Sequence, residues 1–427
     1  MTNEEVQEHV RKSIDVAINI WRFSYLKLDF LYASVLGGVQ ESYKDKTLTK
    51  AQILQIGMQL ITESAGNDVF ILGCGAPLGS VIGHVHANRI SSGTSSTITV
   101  ISNLYSCHYI LWYLLLLDAG LSWYPEFPLP TGDKWNLPCA RNMVRNSLCR
   151  MYMHGYWWIN DPDCMLLRPS LHFSEEELVG IATVKAFSGG SFIISDDLDT
   201  ITAKRFRMAL QLLPPTNIAG VPLDLLRKEM PEQLRLKLPG NPLPSDLRGD
   251  NLISPWTMIA LCNWDSKLNL KKSHVLSVRD IFGPQTVEEV ATSLAPSASE
   301  GSLESQYFTV TMFLFSFWEE SFRQIEITLD RLGRGSEVSF ADIPHHSAHI
   351  YRAGLFDRPD SPYYIGSNLH FSCGMEVSAM VEIAATPDEI RTTLVNRLAS
   401  LGHKKLPSEI SIMQKSVAQS AATGAVI

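Results

Sequence analysis

The feature that most constrains the fold is a change of period near residue 250. Before it, helix-spaced apolar stretches alternate with short, nearly uninterrupted apolar runs. The spacing predicts a helix over 3–20, opened by a Thr2/Glu5 capping box, with Val6, Val10, Ile14, Ala17 and Ile18 toward one face. A strand over Tyr25–Leu31 follows, then a helix near 49–64 and a strand at "DVFILGC" (68–74). "NRIS" (88–91) is a third strand, a helix near 139–153 leads to "WWIND" (157–161), and Ser174 with Glu177 caps a helix that stops at Ser188-Gly189-Gly190. "SFIIS" (191–195) is the fifth strand. Apolar strands alternating with helices specify a parallel sheet covered on both faces.

After about residue 250 strands follow strands. "WTMIALCNW", "YFTVTMFLFSFW", "SEVSFADIP", "SAHIYRAG" and "SPYYIGSNLHFS" are separated by Gly, Pro, Ser and Asp, the pattern of an antiparallel sandwich. Residues 283–305, rich in Ser, Glu and Thr, read as a surface loop. Thr386, Pro387 and Glu389 open a last helix, followed by a loose tail. The expected division is 1–250 for the α/β part, 251–383 for the β-sandwich, and 384–427 for the terminal helix and tail.

Composition narrows the function. A chain of 427 residues has room for two cores. Its net charge of −8, from 36 basic and 44 acidic residues with no basic block, argues against nucleic acid as a partner. The 7 cysteines are scattered without a C-x-x-C, which fits neither a zinc cluster nor a disulfide framework. "MTNEEVQEHV" places acids where a secretory signal is apolar, so the sequence as written shows no signal peptide and reads as cytoplasmic without fixing the compartment. Residues 98–118 are almost long enough to span a bilayer, but Asn103, Ser106 and His108 interrupt them, and they read as a buried helix with no membrane partner. "GCGAPLG" spaces its glycines too widely for a dinucleotide fingerprint. His84, His86, His345, His346 and His349 have no evident carboxylate or cysteine companion and read as satisfied or solvent histidines, so no metal is expected.

In parallel βα folds chemistry gathers where strands end. The unusual polar residues fall there: Asp29, Cys74, Arg89, Asp161 with Asp163, and Asp196 with Asp197. Lys27 and Asp29 lie two residues apart in "SYLKLDFLYA" and so point to one face of a strand. Spacing alone leaves two readings level, an inward structural ion pair and a reactive carboxylate held ionised by its neighbour.

Six segments carry a resemblance: "YLKLDF", "ILGCGAPLG", "NRIS", "WWINDPDCMLLR", "FSGGSFIISDD" and "GSNLHFSCGMEV". Together the chain resembles the α-galactosidase clan of glycoside hydrolases, the melibiase clan, and family 36 within it. "NDPDC" followed by an apolar stretch and Arg168 is the most specific of these signals. The resemblance implies a (β/α)₈ TIM barrel followed by a β-sandwich, with "YLKLDF" as the fourth barrel strand. The chain is then an N-terminally incomplete barrel of strands four to eight, a fragment or one part of an assembly whose second chain supplies the missing strands. It implies Asp29 as the catalytic nucleophile of a retaining mechanism, with Lys27, Cys74, Arg89 and Asp163 binding the sugar and Asp161 as the near neighbour of Asp163. The implied substrate is a terminal α-galactoside, a small molecule or an oligosaccharide, and no cofactor is required. Trp123, Tyr124, Trp135, Trp157 and Trp158 flank the expected mouth, where aromatic faces stack on sugar rings, although most tryptophans are simply core.

One position departs from the pattern. The clan's general acid/base stands four residues after the sixth-strand arginine, which here is Gly93, and no Asp or Glu occurs from Gly83 to Leu117. A retaining enzyme needs two carboxyl groups about 5–5.5 Å apart. Asp196 and Asp197 are the substitutes within reach of the mouth, although N-capping of a helix near Thr200 is the expected use of them. The functional expectation is therefore an α-galactosidase-like glycoside hydrolase without full activity. The alternatives are a non-catalytic carbohydrate-binding pseudoenzyme or fragment, and a raffinose-synthase-like transglycosylase.

Overall fold

The structure, a computed structural model, describes residues 1–36, 43–91, 139–171, 173–240, 255–265, 270–294, 307–330, 334–356 and 364–376. These fall into two compact units. The first comprises Met1–Leu236, Ala260–His274 and Phe340–His349, and the second holds the remaining described residues.

In the first unit, helix α1 (Glu4–Asp15) is capped by Asn3, whose side chain accepts from the Glu5 amide. The expected cap, Thr2, accepts instead from the Lys44 amide. The helical path continues past Asp15 as a wider π turn over Val16–Ile20. Strand β1 (Tyr25–Leu28) follows, shorter than the run Tyr25–Leu31 suggests. Helix α2 (Lys50–Ala65) opens on a reciprocal Thr49/Gln52 capping box. Then come β2 (Phe70–Gly73), β3 (Ala87–Arg89), helix α3 (Ala140–Arg150) and β4 (Ile159–Asp161).

These strands form one sheet in the order β1-β2-β3-β4, with every neighbouring pair parallel. Ile71 of β2 joins Ile53, Leu54, Met58 and Ile61 of α2 in the larger apolar cluster, with Leu26 and Leu28 packed against it. Ile53, Met58 and Ile71 are completely buried, each stabilising the fold by about 1.5–3 kcal/mol. On the other face Leu72, Cys74 and Ala87 cluster with Phe70 and Ile159.

The fifth predicted strand belongs elsewhere. Ile193–Ile194 (β6) pairs in parallel with Cys164–Met165 (β5), in a two-stranded sheet of its own. The Asp161–Cys164 turn leads out of β4 and directly into β5, so "SFIIS" meets a partner that sequence periodicity does not reveal. Between them lies helix α4 (Glu175–Phe187), with the expected Ser174/Glu177 capping box. Helix α5 (Ala203–Leu210) and the antiparallel pair β7 (Val221–Pro222) and β8 (Gln233–Leu238) follow.

Beyond residue 250 the order is β9 (Trp256–Asn263), β10 (Lys272–Ser277), α6 (Val278–Phe282), α7 (Pro284–Leu294), β11 (Phe308–Ser316), β12 (Ser321–Leu329), β13 (Glu337–Ile343) and β14 (Ser347–Leu355). Within the second unit β11 pairs antiparallel with β12 along its whole length and with β14 from Met312↔Leu355 to Ser316↔Tyr351. The first part of the segment expected as a loop, 283–305, is helix α7. Its Pro284 sits at the start, where a missing amide costs nothing. "SPYYIGSNLHFS" is not a strand over its described part, 364–372. That part instead covers Arg352, whose guanidinium lies 4.9 Å from the ring centre of Tyr364 and 4.9 Å from that of Trp256.

The chain is thus a parallel α/β region followed by antiparallel β-sheets. No helix among the described residues is long and apolar enough to cross a membrane. The run 98–118 and the helix expected at 386 lie outside the described residues.

Candidate functional site

Strand register builds the site. Lys27 stands opposite Leu72, Leu72 opposite Ala87, and Ala87 opposite Ile159. One pleat further along, the side chains return to the same face. That next layer is Asp29, Cys74, Arg89 and Asp161, with Arg89 and Asp161 directly paired. Four neighbouring parallel strands therefore deliver their exit residues to one edge of one face, above a layer of Lys27, Leu72, Ala87 and Ile159.

The turns leaving β1 and β2 are tied together. The Leu31 amide donates to the Cys74 carbonyl at 3.3 Å and the Tyr32 amide to the Gly75 carbonyl at 2.9 Å. Gly75 has φ +59, and a side chain there would meet the Tyr32 ring at 3.2 Å. Phe30 follows Asp29 at φ 53, a left-handed conformation that costs a bulky residue about 1–3 kcal/mol. That conformation aims the Phe30 amide at Asp29 Oδ1, 2.8 Å away.

Asp29 is exposed. Burial pushes its carboxyl pKa up, but the Cys74 thiol, the Phe30 amide and the Lys27 and Arg89 charges outweigh burial and hold it below the usual value. Lys27 thus contributes as expected, although two hydrogen bonds contribute more. Cys74 is buried, and its thiol is pushed up to about 12, mainly by burial against the pull of Arg89, so it remains a neutral donor to Asp29.

The other end of the layer is closed. Arg89 Nε donates to Asp161 Oδ2 at 2.9 Å, and Arg89 Nη1 lies 2.9 Å from Asp163 Oδ2. Asp161 Oδ1 accepts from the Asp163 amide at 2.9 Å, and Asp163 Oδ1 from the Cys164 amide at 2.7 Å. Asp161 is 0% exposed and Asp163 7%. Asp163 adopts φ 70, which an aspartate tolerates far better than a phenylalanine. Burial disfavours the Arg89 charge, yet Asp161 and Asp163 raise its pKa above an ordinary arginine's. One guanidinium thus bridges two carboxylates.

Asp196 and Asp197 serve the scaffold. Asp196 accepts from Arg168 Nη1 at 2.9 Å and from the Leu167 amide, locking the exits of β5 and β6 together. Asp197 caps only the short turn Leu198–Thr200, whereas the helix expected near Thr200, α5, is capped by Thr202. Gly93, Trp123, Tyr124 and Trp135 lie outside the described residues. Trp157 and Trp158 precede β4 and stand at its entry end, away from the Asp161 exit, with Trp158 in the helix-facing apolar cluster. His86 accepts from the Ile71 amide at 3.0 Å. His346 does have a carboxylate companion, Glu177, 3.1 Å from its Nδ1. No group of metal-ligating side chains occurs among the described residues.

Sequence reasoning missed Lys185. It lies 3% exposed at the end of α4, with Nζ donating to the carbonyls of Pro162 at 3.0 Å and Asp163 at 2.7 Å. A lysine in a last helical turn ordinarily reads as a solvated partner of the helix dipole. The available signal was the Ser188-Gly189-Gly190 break. A side chain at Gly190 would stand 1.8 Å from the Asn160 carbonyl, so glycine there lets the end of α4 come close under the exit of β4.

No family profile matches the chain. Among solved structures it is similar to an α-galactosidase from Thermus thermophilus in complex with stachyose, at 22% identity over 50% of this chain and 38% of that one, with a TM-score of 0.36. It is similar to α-galactosidase I from Mortierella vinacea at 12% identity over 81% of this chain and 71% of that one, with a TM-score of 0.44. An α-galactosidase from Saccharomyces cerevisiae has 12% identity over 79% of this chain and 73% of that one, with a TM-score of 0.46. The chain spans well under half the length of the Thermus enzyme.

Proposed function

We propose that residues 1–250 are the C-terminal part of a family 36-type (β/α)₈ barrel, that 251–383 are its β-sandwich, and that the β1–β4 exits form an α-galactoside pocket. The observation that carries this reading is the single layer of Asp29, Cys74, Arg89 and Asp161, with one exposed, ionised carboxylate at its β1 end. The six sequence segments that resemble the α-galactosidase clan fall largely on these same exits.

In this reading Asp29 attacks the anomeric carbon as the bond to the leaving oxygen breaks, giving a covalent glycosyl-enzyme. Asp163 and Lys27 accept and donate hydrogen bonds to sugar hydroxyls. Cys74 keeps Asp29 anionic and oriented, and Asp161 holds Arg89 and the Asp163 turn in place. Gly93 cannot protonate the leaving oxygen or activate water, and losing such help slows natural linkages by about 10²–10⁴-fold.

An aryl α-galactoside separates the steps, because a good phenolate leaving group needs little protonation. The expected result is a burst of about one phenol per chain followed by stalling, with turnover restored by azide, which attacks the anomeric carbon and frees Asp29. Asp29→Ala abolishes the burst. An undiminished burst in Asp29→Ala would sink the nucleophile assignment. The second reading, a sugar-binding protein without turnover, is favoured by the carboxylate-free stretch from Gly83 to Leu117. It predicts galactose binding with no burst.

A further inference from the structure

The Arg89 cluster poses a charge problem that the proposed pocket does not itself resolve. Two aspartates two residues apart, both at least nine-tenths buried, share one guanidinium. Two carboxylates and one cation leave a net negative charge in a site that is almost fully buried, where an unbalanced charge is costly.

The missing cation stands behind the turn. The Lys185 ammonium, almost fully buried, reaches the Pro162 and Asp163 carbonyls at 3.0 and 2.7 Å. Those two carbonyls belong to the residues that create the left-handed bend at Asp163. The charged and titratable groups facing it come from several elements: Asp163 on the turn, Cys164 on β5, Asp161 on β4 and Arg89 on β3. Burial pushes the lysine's pKa down, while Asp163, Cys164 and Asp161 pull it back up. With Lys185 charged, the quartet of Arg89, Lys185, Asp161 and Asp163 is neutral.

We propose that Lys185 is a positioning residue of the pocket: it pins the Asp163 turn from behind and supplies the second positive charge that balances the two buried aspartates. It does not touch the ligand and acts through Asp163. The pinning and the charge balance stand on the geometry, and only their use in sugar binding rests on the proposed function.

The test begins without a ligand. Thermal unfolding of the full chain is compared for wild type, Lys185→Met, Asp163→Asn and the double variant at pH 7. Each single change unbalances the quartet and lowers Tm. The double variant restores neutrality and is expected to lose less than the two single losses added together. Simple additivity overturns the proposal. If Lys185→Met does not fold, the double variant is expected to recover folded protein, and failure to recover it also overturns the proposal.

The second arm titrates galactose at pH 7 against wild type, Lys185→Met and Lys185→Arg. Removing the ammonium frees the Asp163 turn, and Lys185→Met is expected to bind galactose about tenfold more weakly. Lys185→Arg keeps the charge and the donors and is expected to retain the wild-type affinity. Equal weakening in Lys185→Arg and Lys185→Met, or unchanged affinity in Lys185→Met, overturns the proposal. If wild type binds no galactose while the unfolding arm shows coupling, the sugar reading fails and Lys185 still holds the turn.

Discussion

The two outer strands of the parallel sheet, β1 and β4, end in aspartates of the same layer that live in opposite surroundings. Asp29 is exposed, held below the usual pKa by a thiol, an amide and two cations at modest strength. Asp161 is completely buried, with one oxygen on Arg89 and the other on the Asp163 amide. A fully buried carboxylate with a donor on each oxygen can orient its neighbours but is closed to a ligand. A carboxylate at the surface, ionised and partly unengaged, can attack or accept. The same residue type in the same layer is thus closed scaffold at one end and open to a ligand at the other, and what separates them is burial, since each accepts from one turn amide and one side chain.

The comparison can be broken most severely at the β4 end. Arg89→Met removes the cation between two buried carboxylates and is expected to destabilise the fold by about 3–5 kcal/mol in urea unfolding at pH 7. A loss under about 1 kcal/mol would mean that the cluster is solvated and that the two ends do not differ. The next effect is geometric. Gly190→Ala sets a methyl carbon 1.8 Å from the Asn160 carbonyl, so backbone must move, at a cost of about 1–3 kcal/mol by the same measurement. The smallest effect belongs to the β1 end. Asp29 is depressed in the folded state, so its stabilisation is complete above the unfolded value near pH 4, about 3.9, and fades as pH falls through the folded value. Asp29→Asn is expected to lower stability at pH 7 by less than about 1 kcal/mol and to match wild type near pH 2. A large loss at pH 7 would place Asp29 among the structural groups.

Which parts of this arrangement could be read from the sequence follows from how local each determinant is. The capping boxes at Thr49/Gln52 and Ser174/Glu177 are contained in four residues and are legible. The exits of β1 to β4 are legible because a polar residue ending an apolar run stands out, and this gives Asp29, Cys74, Arg89 and Asp161. The separate β5–β6 pair is not legible, since two residues per strand carry no period. Helix α7 is hidden by Ser, Thr, Glu and Pro, which also make loops, and β8 by its position beside the Pro-rich stretch before 250. Lys185 is hidden most thoroughly. Nothing in "ATVKAF" says that the cation turns inward, because its partners are backbone carbonyls of another turn.

The contact between Glu177 and His346 joins residues 169 positions apart, and Gly180 leaves room for the His346 carbonyl, which a Cβ would approach at 2.5 Å. During synthesis at about 5–20 residues per second, α4 emerges on the order of ten to thirty seconds before the segment that packs against it. Until then the helix that carries Lys185 leaves the ribosome with one flank uncovered. Completion of this region is therefore a late event in the life of the nascent chain, and a ribosome stalled before codon 340 should display α4 open to proteases.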